Sequence, residues 1–239
     1  MPAARHKPCS SDRHMETQPD RRNRPFANRV EAGKELAGYL QRYAGRSDVI
    51  VLGLPRGGVP VAAVIAGALG APLDVFTVRK LGVPGHRELA MGAIASGGAR
   101  VLDHRLIEDL QLPERAVSWV IAEEERELMR REQLFRSGLG PLTVAGLIAI
   151  LVDDGLATGS TMLAAVQAIR DLGPSRVVVA VPVGSAEACR KLEQVADEVI
   201  CARIPSRFAA VGQWYADFSE TSDAEVKTLL HPVAAVVKR

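Results

Sequence analysis

Two adjacent carboxylates, Asp153 and Asp154, follow an apolar run, and a loop rich in glycine and hydroxyl groups comes directly after them. That loop reads GLATGST and precedes a predicted helix. Unpaired backbone amides at the start of a helix favour an anion, so the loop suits a phosphate group. It lacks the lysine that ends a Walker A loop. The predicted phosphate-binding residues are Gly155, Ala157, Thr158, Gly159, Ser160 and Thr161.

The two carboxylates lie too close to this loop to bind the phosphate themselves. Carboxylate oxygens at such a place suit vicinal hydroxyls or a hydrated Mg²⁺. A ribose that is phosphorylated at its 5-position satisfies both the acids and the loop. The alternative is a solvated strand end in which Asp154 only caps the next helix.

A second glycine loop, GLPRGG, follows another apolar run and ends at Gly57 and Gly58. These glycines permit a close approach of the backbone to a ligand. Arg56 offers a fork of N–H donors that matches a diphosphate. A plain turn between a strand and a helix is the alternative for this loop.

Each of these loops stands between an apolar strand and a helical pattern, which is the order of a βαβ unit. Two such regions predict an α/β fold with a doubly wound parallel sheet, and ligands bind such sheets at the carboxyl ends of the strands. The predicted strands are 48–52, 73–78, 147–152, 176–181 and 198–201, and the predicted helices are 30–43, 59–69, 113–135, 160–172 and 185–195.

Two segments of this pattern need closer description. Residues 81–98 contain five glycines, which predicts a long loop with a short strand at 91–95 and a hairpin into 100–102. The helix at 30–43 is amphipathic. Its residues that we expect to face the core are Val30, Leu36, Leu40 and Tyr43.

The stretch ILVDD followed by GLATGST resembles the phosphoribosyl diphosphate (PRPP) signature of the type I phosphoribosyltransferases. The similarity extends over roughly residues 26–205. It implies that Asp153 and Asp154 bind the ribose hydroxyls, and Mg²⁺ through those hydroxyls or water, while residues 157–161 hold the 5-phosphate. The loop GLPRGG resembles the diphosphate loop of the same family, which implies that Arg56, Gly57 and Gly58 bind PRPP there.

A third stretch, VRKLGVPGHRELAMGAI, resembles the mobile catalytic loop that closes over the diphosphate in this family. Closure of such a loop excludes water from the reaction. The resemblance implies catalytic roles for Arg79 and Lys80, which we expect at the end of a strand, and for His86 near the tip of the loop. A solvent-exposed loop histidine is an equally good interpretation of His86.

In this family, a small variable segment outside the sheet, called the hood, recognises the molecule that accepts the phosphoribosyl group. The segments of this chain that suit a hood are residues 26–29 and 207–220. Within them, Trp214 and Tyr215 either stack on a base or pack the end of the chain onto the core. Family members that act on 6-oxopurines usually carry an aspartate where this chain has Ala157, which disfavours hypoxanthine and guanine.

The positive charge of the chain is concentrated at its start. Residues 1–24 hold six lysines and arginines against three acids, while the whole chain has a net charge of +2. The remainder therefore carries −1, which makes a nucleic-acid partner unexpected. We expect a disordered basic tail at 1–24 and one domain at 25–239. No apolar run is long enough to span a membrane, so we expect a cytoplasmic protein. A homodimer is compatible with the sequence.

These features predict a phosphoribosyltransferase that binds PRPP with Mg²⁺ and transfers the phosphoribosyl group to a base or amine with release of diphosphate. A PRPP-sensing regulator of the same fold, with little or no transferase activity, is the main alternative. A phosphatase that uses the two acids for a metal ranks last, because the chain has no DxD motif or clustered histidines.

Overall fold

The computed structural model describes residues 24–231, without the side chains of Arg87 and Glu88. The predicted tail at 1–24 lies outside the described residues, apart from Arg24. The strands are β1 (Val49–Gly53), β2 (Leu73–Val75), β3 (Val78–Val83), β4 (His86–Ala95), β5 (Arg100–Leu102), β6 (Ile148–Val152), β7 (Arg176–Val183) and β8 (Glu198–Arg203). The α-helices are α1 (Arg29–Tyr39), α2 (Gly58–Leu69), α3 (His104–Asp109), α4 (Glu114–Arg136), α5 (Ser160–Arg170), α6 (Ala186–Glu193) and α7 (Asp223–Leu230).

A five-stranded parallel sheet in the order β2-β1-β6-β7-β8 forms the centre of the fold. Strands β1 and β6 are buried at every position. One face of the sheet packs against apolar residues of α5 and α6, and the other face packs against those of α1 and α2. Cover on both faces explains why these strands are continuous apolar runs. The predicted doubly wound α/β sheet is therefore confirmed.

The strand order brings the two glycine loops together. Strand β6 lies beside β1 in parallel register, and Val152 pairs with Gly53 at their carboxyl ends. The backbone N–H of Leu54 donates to the Val152 carbonyl at 2.9 Å, which extends the pairing by one step beyond β1. Both loops therefore begin side by side at the carboxyl ends of neighbouring strands.

The prediction of a long loop at 81–98 was wrong. Strands β3, β4 and β5 form a separate antiparallel sheet, and the turn between β3 and β4 is formed by Pro84 and Gly85. Its glycines hide the strand pattern in the sequence, yet one of them is needed for pairing. A Cβ at Gly92 would lie 2.3 Å from the Val101 carbonyl oxygen of β5. The predicted strand at 73–78 is also divided, because β2 joins the central sheet and β3 joins this one.

The first helix differs from its prediction at both ends. It ends at Tyr39, and a short 3₁₀ turn then buries Tyr43. Val30 is 45% exposed rather than inward-facing, because the buried face of α1 runs through Ala32, Gly33, Leu36 and Ala37. The sequence analysis did not predict helices α3 and α7, which are short.

Candidate active site

The diphosphate-type loop and the acidic pair are in direct contact. A Cβ at Gly57 would lie 2.0 Å from Asp154 Oδ2, and a Cβ at Gly58 would lie 2.5 Å from the Val152 carbonyl oxygen. Contacts below 3.0 Å are not tolerated, so a side chain at Gly57 would displace the Asp154 carboxylate, and one at Gly58 would displace the backbone of the other loop. The peptide bond that joins Pro55 to Arg56 is cis. The two motifs, far apart in sequence, therefore form one interlocked surface.

The acidic pair itself is partly buried and hydrogen-bonded. The backbone N–H of Asp154 donates to Asp153 Oδ1 at 2.9 Å. Burial raises the pKa of Asp153 well above its usual range, and the charge of Asp154 raises it further. Burial also raises the pKa of Asp154, while hydrogen bonds from Arg29 and its charge act in the opposite direction. The positive charge of Arg29 favours the ionised form of both acids and opposes the effect of burial on their pKa values.

The glycine-hydroxyl loop forms a cradle beside Asp153. Asp153 and residues 155–161 line a cavity of about 180 Å³ that Val211 also borders. Thr158 Oγ1 and Ser160 Oγ are 3.2 Å apart, and α5 begins at Ser160. Backbone amides at the start of a helix have no partner within it and favour an anion. Here the Ser160 N–H donates to Thr158 Oγ1 at 3.4 Å. The structure therefore brings the predicted phosphate-binding residues to one acid of the pair.

Neighbouring segments hold this cradle in place. The Ser185 hydroxyl, at the start of α6, donates to the Ala157 carbonyl at 2.8 Å. Gly159 has a φ of +73° and faces Ala188, because a Cβ at this position would lie 3.1 Å from that of Ala188. The start of α6 therefore contacts the loop at both Ala157 and Gly159.

The sequence predicted that Arg79 and Lys80 end a strand of the central sheet. In the structure both residues lie within β3, which belongs to the antiparallel sheet. Adjacent residues of a strand point to opposite faces. Lys80 Nζ lies 3.4 Å from Ser160 Oγ of the cradle. Arg79 points instead to α4, where its Nη2 lies 2.6 Å from Glu124 Oε2. The structure therefore brings Lys80 to the site and leaves Arg79 in an ion pair outside it.

His86 and Arg56 are the other two side chains for which the sequence predicted a role at the site. His86 is exposed at the start of β4, on the far side of the turn formed by Pro84 and Gly85. The Arg56 guanidinium forms ion pairs with Glu220 and Asp223 of the C-terminal region, the latter at 3.6 Å. Catalytic or diphosphate contacts by these residues therefore stay predictions.

The two segments predicted to form a hood do pack together. The Phe26 N–H donates to the Trp214 carbonyl at 2.8 Å, and the Ala216 N–H donates back to the Phe26 carbonyl at 2.7 Å. The Tyr215 side chain lies beside Phe26 with ring centres 5.5 Å apart, and Tyr215 is 5% exposed. Burial raises the pKa of Tyr215, and the neighbouring charge of Asp154 adds to the effect. Tyr215 therefore packs the chain end onto the core, as one of the two interpretations held.

One group at the site was missed by the sequence analysis. The Nε and Nη2 atoms of Arg29 donate to Asp154 Oδ2 at 2.9 and 2.8 Å. The range 26–29 was predicted to belong to the hood, but no local pattern indicates a partner that lies 125 residues away. Only the meeting of the chain start with the end of β6 makes this contact visible.

A further cavity adjoins the phosphate cradle. It has a volume of about 290 Å³, and Ala157 and Thr158 form its border with the cradle. Phe208 lies on its wall, together with Glu187 and Lys191 of α6. Glu187 and Lys191 are paired with each other at 2.6 Å. An aromatic ring and a pair of opposite charges are thus available next to the cradle.

No helix within residues 24–231 combines the length and the apolar character that crossing a membrane requires.

Comparisons with known proteins agree with this geometry. A family model described as the phosphoribosyl transferase domain matches residues 26–218. Two strains of Mycobacterium tuberculosis each have a relative, provisionally named a phosphoribosyl transferase, that is 47% identical over 205 residues. The alignment covers 86% of this chain and 46% of the relative, so the chain spans about half the length of the curated relatives it matches.

A more distant relative and a solved structure complete the comparison. The bifunctional protein PyrR of Pelotomaculum thermopropionicum is 25% identical over 139 residues, which is 58% of each chain. The crystal structure of TT1426 from Thermus thermophilus is 41% identical and superposes with a TM-score of 0.78. That superposition covers 86% of this chain and 97% of TT1426. The family model and these relatives show that the chain belongs to the phosphoribosyltransferase family.

Proposed function

We propose that this protein binds PRPP with Mg²⁺ and transfers the 5-phosphoribosyl group to a nitrogen nucleophile, preferably a nucleobase. One observation carries the proposal. The Asp154 carboxylate touches the glycine loop at Gly57, while Asp153 lines the same cavity as the phosphate cradle. A ligand with a 5-phosphate, two ribose hydroxyls and a diphosphate would meet a matching group at each position.

The roles of the residues follow from their places. Asp153 and Asp154 would accept hydrogen bonds from the ribose hydroxyls, and the amides of the cradle would hold the 5-phosphate. The amides of Arg56 and Gly57 and the Arg56 side chain would hold the diphosphate. The Gly58 N–H donates to the Leu54 carbonyl, and this glycine would let the ligand approach the backbone closely. Lys80, at the edge of the cradle, would place a positive charge near the phosphates.

In the proposed reaction, the acceptor nitrogen forms a bond to C1 of the ribose while the bond from C1 to the diphosphate oxygen breaks. Diphosphate leaves with the bonding electron pair, and the proton of the acceptor nitrogen passes to the departing diphosphate. Such a reaction passes through a cationic sugar, which the negative charges of Asp153 and Asp154 would stabilise. Orientation of the two reactants would supply much of the remaining rate increase.

The donor set of the site fits Mg²⁺. Its two acids offer carboxylate oxygens, which Mg²⁺ prefers as ligands. The described part of the chain contains no group of three or more histidine, cysteine or acidic side chains that could hold a metal ion. Asp153 and Asp154 would hold the ion through water or the ribose hydroxyls. When bound, Mg²⁺ would neutralise charge that develops on the departing diphosphate.

The cavity next to the cradle is the proposed place of the acceptor. Phe208 provides a ring on which a flat base can stack, and Glu187 and Lys191 offer one acceptor and one donor. The neutral Ala157 at its border supports an acceptor other than a 6-oxopurine.

The cytoplasmic location and the homodimer also stay predictions.

A PRPP-binding regulator without transfer activity is the second candidate, and the position of Arg79 favours it. This arginine is committed to Glu124 on the far face of β3, so one of the predicted catalytic charges is absent from the site. Binding alone requires the acids and the cradle, which are complete without it.

Calorimetric titration of PRPP, with and without Mg²⁺, tests the proposal. We expect saturable binding that Mg²⁺ strengthens, and a loss of at least about tenfold in affinity in an Asp153→Asn/Asp154→Asn double variant. Asp48→Asn is a matched control, since Asp48 lies before the opposite end of β1 in an exposed ion pair. No binding by the wild type, or unchanged binding by a folded double variant, would reject the site.

Assays of diphosphate release then separate the two candidates. Each nucleobase is added in turn to the wild type with PRPP and Mg²⁺. Release that depends on one base supports the transferase. Tight PRPP binding without release in the presence of any base supports the regulator.

A further inference from the structure

Arg29 is the first residue of α1, and 12% of its side chain is exposed. Its Nε and Nη2 atoms both donate to Asp154 Oδ2. The remaining nitrogen, Nη1, donates to the Ser219 carbonyl at 2.7 Å, and Cζ lies 4.2 Å from the centre of the Phe218 ring. One guanidinium therefore joins the start of the described chain, its C-terminal segment and the second acid of the pair.

The same C-terminal segment also holds the backbone of Asp154. The Tyr215 hydroxyl donates to the Asp154 carbonyl at 2.6 Å. Gly57 closes the other side of the carboxylate, as its missing side chain leaves room for Oδ2. The main chain and the side chain of Asp154 are thus both fixed by groups that lie outside β6 and its loop.

The ion pair between Arg29 and Asp154 differs from an ordinary surface pair. The exposed fractions of the two side chains are 12% and 15%, whereas those of Arg46 and Asp48 are 45% and 46%. Exposed pairs contribute little, but removal of one partner from a buried pair leaves the other charge uncompensated. Two neighbouring carboxylates also repel each other, so their fixed arrangement needs a nearby positive charge.

We propose that Arg29 is a positioning residue for ribose binding, a role that rests on the proposed function. It holds the Asp154 carboxylate in the orientation that the ribose hydroxyls require. Ser219 and Phe218 of the C-terminal segment hold the Arg29 guanidinium in turn, so they help to place it against Asp154.

The positioning role of Arg29 affects the two parts of PRPP differently. Ribose 5-phosphate contacts the acids and the cradle, so its binding depends on Arg29. Inorganic diphosphate contacts residues 56–58 and does not require a correctly oriented Asp154. A variant that only weakened the fold would lower the affinity for both ligands together.

Calorimetry with these two ligands tests the proposal on the full chain. In Arg29→Gln we expect the affinity for ribose 5-phosphate to fall about tenfold or more, because charge-assisted hydrogen bonds are lost, while diphosphate affinity is unchanged. Arg29→Lys should restore part of the loss, since lysine keeps the charge but not the planar fork.

Arg203→Gln is the matched control. Arg203 anchors the same N-terminal segment, as its Nε donates to Glu35 at 2.9 Å and its Cζ lies 3.6 Å from the centre of the Phe26 ring. It does not contact Asp154, so its loss should lower stability and leave ribose 5-phosphate affinity unchanged. If Arg29→Gln does not fold, Arg29→Lys is compared with Arg203→Gln in the same way.

Three results would overturn the proposal. Unchanged ribose 5-phosphate binding by a folded Arg29→Gln variant would do so. An equal loss in Arg203→Gln would assign the effect to the order of the hood instead. A wild type that binds neither ligand would reject the proposed function, and this role of Arg29 with it.

Discussion

Replacement of Gly57 by alanine tests the interlock between the two loops. The new methyl group would lie 2.0 Å from Asp154 Oδ2, whereas ordinary contacts begin at 3.4 Å. Because that oxygen belongs to a side chain, the carboxylate can swing away by roughly 1.4 Å, the difference of these two distances. The fold should therefore survive, but the oxygen leaves the position where Arg29 binds it.

The size of the effect follows from the bonds that this shift breaks. Two hydrogen bonds from Arg29, at 2.9 and 2.8 Å, would lengthen beyond the range in which they stabilise the carboxylate. Hydrogen bonds to charged groups contribute about 1.5–3 kcal/mol each. If the binding free energy of PRPP decreases by the contribution of one such hydrogen bond, the affinity falls about 10- to 150-fold.

Gly67→Ala is the matched control for Gly57→Ala. Gly67 lies inside α2, and a Cβ there would meet nothing within 4 Å. Alanine in that helix should raise the free energy of unfolding by about 0.5–1 kcal/mol and leave PRPP binding unchanged. Urea unfolding measures stability, and calorimetry measures affinity. A Gly57→Ala variant that binds PRPP as tightly as the wild type would refute the interlock.

Two further predictions concern the cradle and the surface of α4. Thr158→Ala with Ser160→Ala should weaken PRPP binding by only about tenfold, measured by calorimetry, because the backbone amides, which would carry most of the proposed phosphate contacts, remain; a complete loss would show that the hydroxyls dominate. Arg130 and Arg131 lower the pKa of Glu127 to about 2 from the usual 4.5. A lowered pKa in the folded state stabilises the protein above about pH 4.5, and this contribution is lost as the pH falls towards 2. Glu127→Gln should therefore be less stable than the wild type at pH 7 by a fraction of a kcal/mol, as for exposed pairs, and the gap in urea unfolding should shrink at pH 3; a gap that grows towards acid pH would contradict this origin.

The central sheet and both glycine loops could be predicted because their signals are local. Strands β1 and β6 are continuous apolar runs, and glycines with a charged or hydroxyl neighbour mark the loops that follow them. Helix periodicity and the βαβ order then place both loops at one edge of the sheet.

The hairpin of β3 and β4 could not be predicted, because glycines interrupt its alternation. Its buried residues, such as Leu81 and Met91, become inward-facing only when α4 packs on them. Without that pairing, nothing in the sequence decides that Arg79 turns to Glu124 while Lys80 turns to the cradle.

The contacts of Asp154 have a consequence for the synthesis of the protein. The carboxylate is bound by Arg29 near the start of the described chain, and its carbonyl by Tyr215, far towards the other end. Domains emerge from the ribosome with their N-terminal part first. A nascent chain that already contains both glycine loops still lacks Tyr215 and Ser219, so Asp154 and Arg29 can make all of these contacts only after residue 219 has been added.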